Sequence, residues 1–203
     1  PFSCFAQKVG KNDYFYVLNT RQGLSDNCIL QMMQLADGQL AVRTRKGVNL
    51  YDGRRFVLIP LPSEKEESIA AYKGQTHLYA DNRNRLWVKD YQKIFCVQLT
   101  EGRLLEHPLD SLLHETGQIR NGLKGRDIQD LFVDSRKQVW VLMGNTLLNT
   151  QDGCLISLRK EWGSLQDLDT DGQQVYAFMD SGIVATFLKD KFAQTATAYP
   201  AHD

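Results

Sequence analysis

Residues 23–56 read GLSDNCILQMMQLADGQLAVRTRKGVNLYDGRRF, and this stretch decides the fold. A related stretch begins at Gly122: GLKGRDIQDLFVDSRKQVWVLMGNTLLNTQDG. Both open on Gly-Leu (Gly23-Leu24 and Gly122-Leu123), and both place an apolar triplet about 18 residues later, around Ala41 and Trp140. A second element recurs more often. Asp81 precedes Trp87 by six positions in DNRNRLWV, and Asp134 precedes Trp140 by six in DSRKQVWV. In LADGQLAV and TDGQQVYAF the same slot holds Ala41 and Tyr176, each after a polar Gly-containing turn. Gly47 lies six residues after Ala41 and Gly182 six after Tyr176, and each leads into an alternating run ending on an aromatic, Phe56 or Phe192.

The repeated unit has a simple physical reading. Ile128, Leu131 and Val133 precede an Asp-rich turn, and a β-branched and aromatic run, Val139-Trp140-Val141-Leu142, follows it. A second turn and two more short strands complete the unit, which is the pattern of an antiparallel meander. The slots at 41, 87, 140 and 176 are 46, 53 and 36 residues apart, close to the roughly 40–50 of β-propeller blades. The spacing predicts an all-β propeller with about four four-stranded blades, at 23–62, 73–106, 122–160 and 163–200. Helical spacing is confined to an insertion from Pro108 to Glu115. A single blade leaves its sheet faces uncovered, so neighbouring blades must cover them. Trp87 and Trp140 are therefore expected to be inter-blade core; burying an indole is worth at most about 4–6 kcal/mol.

The 203 residues carry 24 basic and 24 acidic side chains, and 42% of the chain is apolar. This is globular composition without a basic footprint for nucleic acid or a pull toward anionic lipid. Cys4, Cys28, Cys96 and Cys154 form no C-x-x-C pair, so they read as buried thiols and not as a zinc or redox motif. His77, His107, His114 and His202 form no metal-ligand spacing. No nucleophile elbow, phosphate loop or calcium-loop pattern is present, and the turn aspartates read as solvated caps of their own turns. Neither a catalytic residue, a metal nor a cofactor is expected. Residues 1–11, with Cys4 and Ala6 before Gln7, read as the remnant of an export leader. Tyr14 to Leu18, within 12–20, read as a strand closing the last blade of a ring.

The wording of the unit resembles the two-component regulator propeller repeat, approximately G-L-x-x-N-x-I-x-x-I-x-x-D-x-x-G-x-L-W-x-G-T-x-x-G-L-x-x-Y-D-G. The first unit matches it at Gly23, Leu24, Asn27, Ile29, Gly38, Leu40, Thr44, Gly47, Tyr51, Asp52 and Gly53. The third matches at Gly122, Leu123, Ile128, Leu131, Asp134 and Trp140, and the second keeps Asp81, Leu86 and Trp87. The first unit departs at Leu35 and Ala41, where the repeat has Asp and Trp. The resemblance implies a periplasmic, ligand-sensing part of a hybrid two-component histidine kinase, of the kind found in Bacteroides-like bacteria. Such sensors respond to oligosaccharides and control glycan-utilisation genes. It also implies a seven-bladed ring of which this chain is a fragment, with the rest of the sensor and a second copy as partners. Nucleic acid and membrane contact are not expected of this segment. The alternatives are a protein-interaction scaffold or, further off, a lyase- or quinoprotein-type enzyme propeller. In a propeller the second-to-third-strand turns share one end with the blade-to-blade loops. That end carries Arg43, Arg45, Lys46, Lys89, Tyr91, Arg120, Asn121 and Arg126, the candidate ligand contacts.

Overall fold

The computed structural model describes residues 16–62, 77–90, 93–116, 123–188 and 195–198, whose strands form four four-stranded sheets. The first sheet is β1 (Ile29–Gln34), β2 (Leu40–Thr44), β3 (Gly47–Tyr51) and β4 (Phe56–Pro60). The second is β5 (His77–Ala80), β6 (Arg85–Asp90), β7 (Lys93–Gln98) and the short β8 (Arg103–Leu104). β9 (Asp130–Val133), β10 (Val139–Met143), β11 (Thr146–Asn149) and β12 (Leu155–Ser157) make the third. The fourth takes β13 (Leu165–Thr170), β14 (Gln174–Met179), β15 (Ile183–Leu188) and β16 (Thr195–Ala198). Every sheet is an antiparallel meander in chain order, and the first strands β1, β5, β9 and β13 touch one another in succession. First strands inside, meanders running outward: this is an arc of four propeller blades.

The core lies between the blades. Ala41, Val48 and Leu50 of blade one pack with Leu78, Leu86 and Val88 of blade two. Trp87 and Cys96 of blade two pack with Leu131, Val141 and Leu148 of blade three. Trp140 and Phe132 of blade three pack with Leu168, Val175, Ala177 and Phe187 of blade four. The slot residues of the first three blades therefore face the following blade, and Ala41, Trp87 and Trp140 are fully buried there.

The six-residue spacing from Asp to Trp is a hydrogen-bonded clamp. Asp81 Oδ1 accepts from the backbone N–H of Arg83 and Arg85, while Oδ2 accepts from Trp87 Nε1 at 2.8 Å and Arg85 Nε at 2.7 Å. Asp134 does the same, holding the N–H of Arg136 and Gln138 and, at 2.9 Å, Trp140 Nε1. One carboxylate thus ties a turn to the buried indole whose N–H needs a partner. These two aspartates are 5% and 4% exposed, so the expectation of solvated turn acids fails for them. In blade one Leu35 and Ala41 replace both members of the clamp at once and are both buried, so neither leaves an orphaned polar group. Blade four shortens the turn by one residue, and the Tyr176 hydroxyl bonds Asp171 Oδ2 at 2.9 Å.

Gly47 marks the tightest packing of blade one. Its φ is +151°, and a Cβ there would fall on the carbonyl oxygen of Ile59 in β4. Gly47→Ala should cost more than about 1 kcal/mol in chemical unfolding, because the strained φ and the clash act together.

The insertion forms α1 (Pro108–Glu115) between blades two and three. Leu112 and Leu113 enter the cluster around Trp87. Glu115 pairs with Arg83 and, at 3.0 Å, with Arg85. Near the helix start Asp110 accepts from the Gly125 N–H at 2.6 Å, an approach that a Cβ at Gly125 would obstruct.

The expected closing strand is different where it is described. Tyr16 to Leu18 carry no strand and Thr20–Gln22 is a 3-10 turn; residues 12–15 and the expected leader remnant lie outside the described residues. The local signals explain the turn: Asn19 caps it and Gly23, at φ 99°, ends it in the left-handed region. The motif that follows folds back on blade one. Leu24 is buried, Ser25 bonds Asn49 and Thr44, and Asn27 accepts from the Thr20 N–H. Among the cysteines, Cys96 is buried and its thiol is pushed up to about 12 by that burial, whereas Cys28 and Cys154 are only half-buried; Cys4 lies outside the described residues.

Candidate functional site

Antiparallel order places the β2–β3 turn and the connection entering β9 at one end of the arc. Arg45 and Lys46 occupy that turn and are exposed, as is Arg126 in the 3-10 turn Gly125–Asp127 that precedes β9. Tyr91, Arg120 and Asn121 lie outside the described residues. Arg43 and Lys89 are not loop cations, which corrects the reading from sequence. Both sit in strands two residues past the slot, and strand alternation turns them toward the next blade. Arg43 donates to the Thr44 carbonyl and reaches Asp90 of blade two at 2.6 Å. Lys89 reaches Asp130 of blade three at 2.7 Å, with its ammonium 4.4 Å from the Phe132 ring centroid. These two cations lace blades together; of the candidate cations, Arg45, Lys46 and Arg126 are exposed at the loop end.

The repeat register reveals a second group that the sequence reading missed. Four positions before the turn residues Leu35, Asp81, Asp134 and Asp171 stand Gln31, His77, Asp130 and Asp167, one on each innermost strand. An innermost strand has one unpaired edge, whose N–H groups need acceptors. Here Leu78 N–H donates to Gln31 Oε1, Leu131 N–H to Asp130 Oδ1 and Leu168 N–H to Asp167 Oδ1, all at 2.8 Å. Counting back from the turn in each repeat would have found these residues.

Tyr79 stacks on His77, with ring centroids 5.7 Å apart and planes 17° apart. Burial holds the His77 imidazole below its ordinary value, with the Lys89 charge acting in the same direction. Burial, then Asp167 and Asp130, hold the Tyr79 phenol far above its own. Gln31, Asp130 and Asp167 bond N–H groups on the unpaired edges of innermost strands, and those edges face the axis. Protonated His77 is disfavoured in the fold relative to the unfolded chain. Stability should therefore fall as pH drops from the ordinary histidine range toward the folded value, and His77→Gln should flatten that slope in unfolding titrations.

Chemically this end offers hydrogen bonding, stacking and charge. No group of three His, Cys, Asp or Glu among the described residues is placed to hold a metal ion. No helix among them is long and apolar enough to cross a membrane.

No family model matches the chain, and no curated protein matches it. Solved structures do. The extracellular domain of the hybrid two-component system BT3049 from B. thetaiotaomicron aligns at TM-score 0.54 and 15% identity, over 92% of this chain and 26% of that one. The corresponding domain of BT4673 from the same organism aligns at TM-score 0.52 and 19% identity, over 89% and 25%. A second structure of the BT4673 domain, described as a one-component system, gives 20% identity over 88% of this chain. The chain therefore spans about a quarter of the length of these ectodomains and shares their propeller fold.

Proposed function

We propose that this chain is a ligand-sensing, non-enzymatic propeller segment of a periplasmic sensor that reports an oligosaccharide to a histidine kinase and so controls glycan-utilisation genes. The observation that carries the reading is that its repeats, worded like two-component regulator blades, fold into the propeller arc found in the BT4673 and BT3049 ectodomains. The exposed cations Arg45, Lys46 and Arg126 at the loop end support a polar or acidic glycan as ligand. They speak against an apolar interaction surface of the scaffold kind. In this reading the partners are the rest of the sensor chain and a second copy of it.

A glycan array probed with the labelled full ectodomain tests the proposal. Replacing Arg45, Lys46 and Arg126 together with Ala should abolish binding of acidic glycans while changing stability by less than about 0.5 kcal/mol per site. Binding should weaken as salt rises to physiological strength, because exposed charges are screened over about 8–10 Å. An array that stays blank would overturn the glycan reading, and hits that ignore the triple substitution and salt would remove the loop cations from the ligand site.

A further inference from the structure

We propose that the axial rim formed by Gln31, His77, Tyr79 and Asp167 is a binding site for a sugar residue that carries no acid group. The inference rests on the glycan-sensing reading and supplies what that reading leaves open, namely which part of the ligand meets the blades and not their loops.

The polar groups at the axis divide into used and unused ones. Asp130 spends one oxygen on the Leu131 N–H and the other on Lys89, so this acid and this base neutralise each other. Asp167 spends Oδ1 on the Leu168 N–H, and the residue is exposed, which leaves Oδ2 as an acceptor for a ligand. Gln31 uses its carbonyl on Leu78, which leaves the amide NH2 as a donor. The stacked pair His77–Tyr79 presents a phenol donor and two ring nitrogens beside an aromatic surface. One acceptor carboxylate, several neutral donors and a stacked aromatic pair are what a ring of hydroxyl groups requires. The rim carries one unneutralised carboxylate and no free cation. It therefore attracts an amino sugar, accepts a neutral one, and repels a uronate or sulphated residue. Acidic residues of the same ligand belong farther out, at Arg45, Lys46 and Arg126.

Calorimetry on the full ectodomain with three probes tests this: a glucosamine disaccharide, cellobiose and a sulphated heparin disaccharide. The glucosamine disaccharide should bind more tightly than cellobiose. Asp167→Asn should weaken it roughly tenfold or more, the size of one lost charge-assisted hydrogen bond, with an unchanged melting temperature. Tyr79→Phe should weaken both unsulphated probes while keeping the stacked ring. Binding of the unsulphated probes that ignores both substitutions overturns the rim. So does the absence of that binding while the sulphated probe is still held by Arg45, Lys46 and Arg126; that result leaves the sensor reading standing. Binding of none of the three overturns the rim, and the glycan array then decides the sensor reading separately.

Discussion

Trp140→Ala should lower the unfolding free energy by about 3–5 kcal/mol, the usual cost of emptying a large aromatic site in a packed core. The indole is fully buried among Leu168, Val175, Ala177 and Phe187 of the next blade, so the substitution opens a cavity between two sheets. It also strips Asp134 Oδ2 of its indole donor in a residue only 4% exposed. Trp140→Phe separates the two effects. It fills most of the volume but leaves the carboxylate short of a partner, and should cost about 1–3 kcal/mol. Urea titration followed by far-UV circular dichroism measures both. A near-neutral Trp140→Ala would mean that the interface between blades three and four does not hold the fold.

Arg43→Ala should lose about 2–3 kcal/mol in the same assay, whereas Arg45→Ala, two residues away, should stay within about 0.5 kcal/mol. Arg43 is 5% exposed and spans from blade one to Asp90 of blade two. Removing one member of a buried pair strands the other, which costs about 3–5 kcal/mol when both are fully desolvated. The Asp90 side chain remains 27% exposed, so water recovers part of that cost. Arg43 Nε is itself buried without a hydrogen-bond partner, which lowers what the wild-type contact contributes. A double-mutant cycle with Asp90→Asn isolates the coupling, and a coupling near zero would make Arg43 a packing residue only.

Much of the fold was legible in residues 23–56 alone. The brief runs between the Asp37-Gly38, Lys46-Gly47 and Asp52-Gly53 turns admit little except short antiparallel strands, and their recurrence around Ala41, Trp87, Trp140 and Tyr176 implies sheets that cover one another. The helical insertion was legible from its apolar spacing behind Pro108, and forms over Pro108–Glu115. The leading strand was not, because Tyr16-Val17-Leu18 has strand propensity but pairs with nothing among the described residues. Strand propensity acts only where a partner edge is in reach.

The candidate site divides along the same line. Sequence by itself determined the meander, the blade count in this arc and the turns that carry Arg45 and Lys46, because periodicity and turn chemistry are local. Tertiary structure alone decided which cations are free. Arg43 and Lys89 look like Arg45 and Lys46 in the chain, yet the first two lie within strands, two residues past a slot that faces the neighbouring blade, and the other two lie in a turn. It also decided that Gln31, His77, Tyr79 and Asp167 stand on innermost strands around one axis. They come from three blades and are brought to one axis only because the innermost strands pack edge to edge, a contact between residues far apart in the chain that no local pattern encodes.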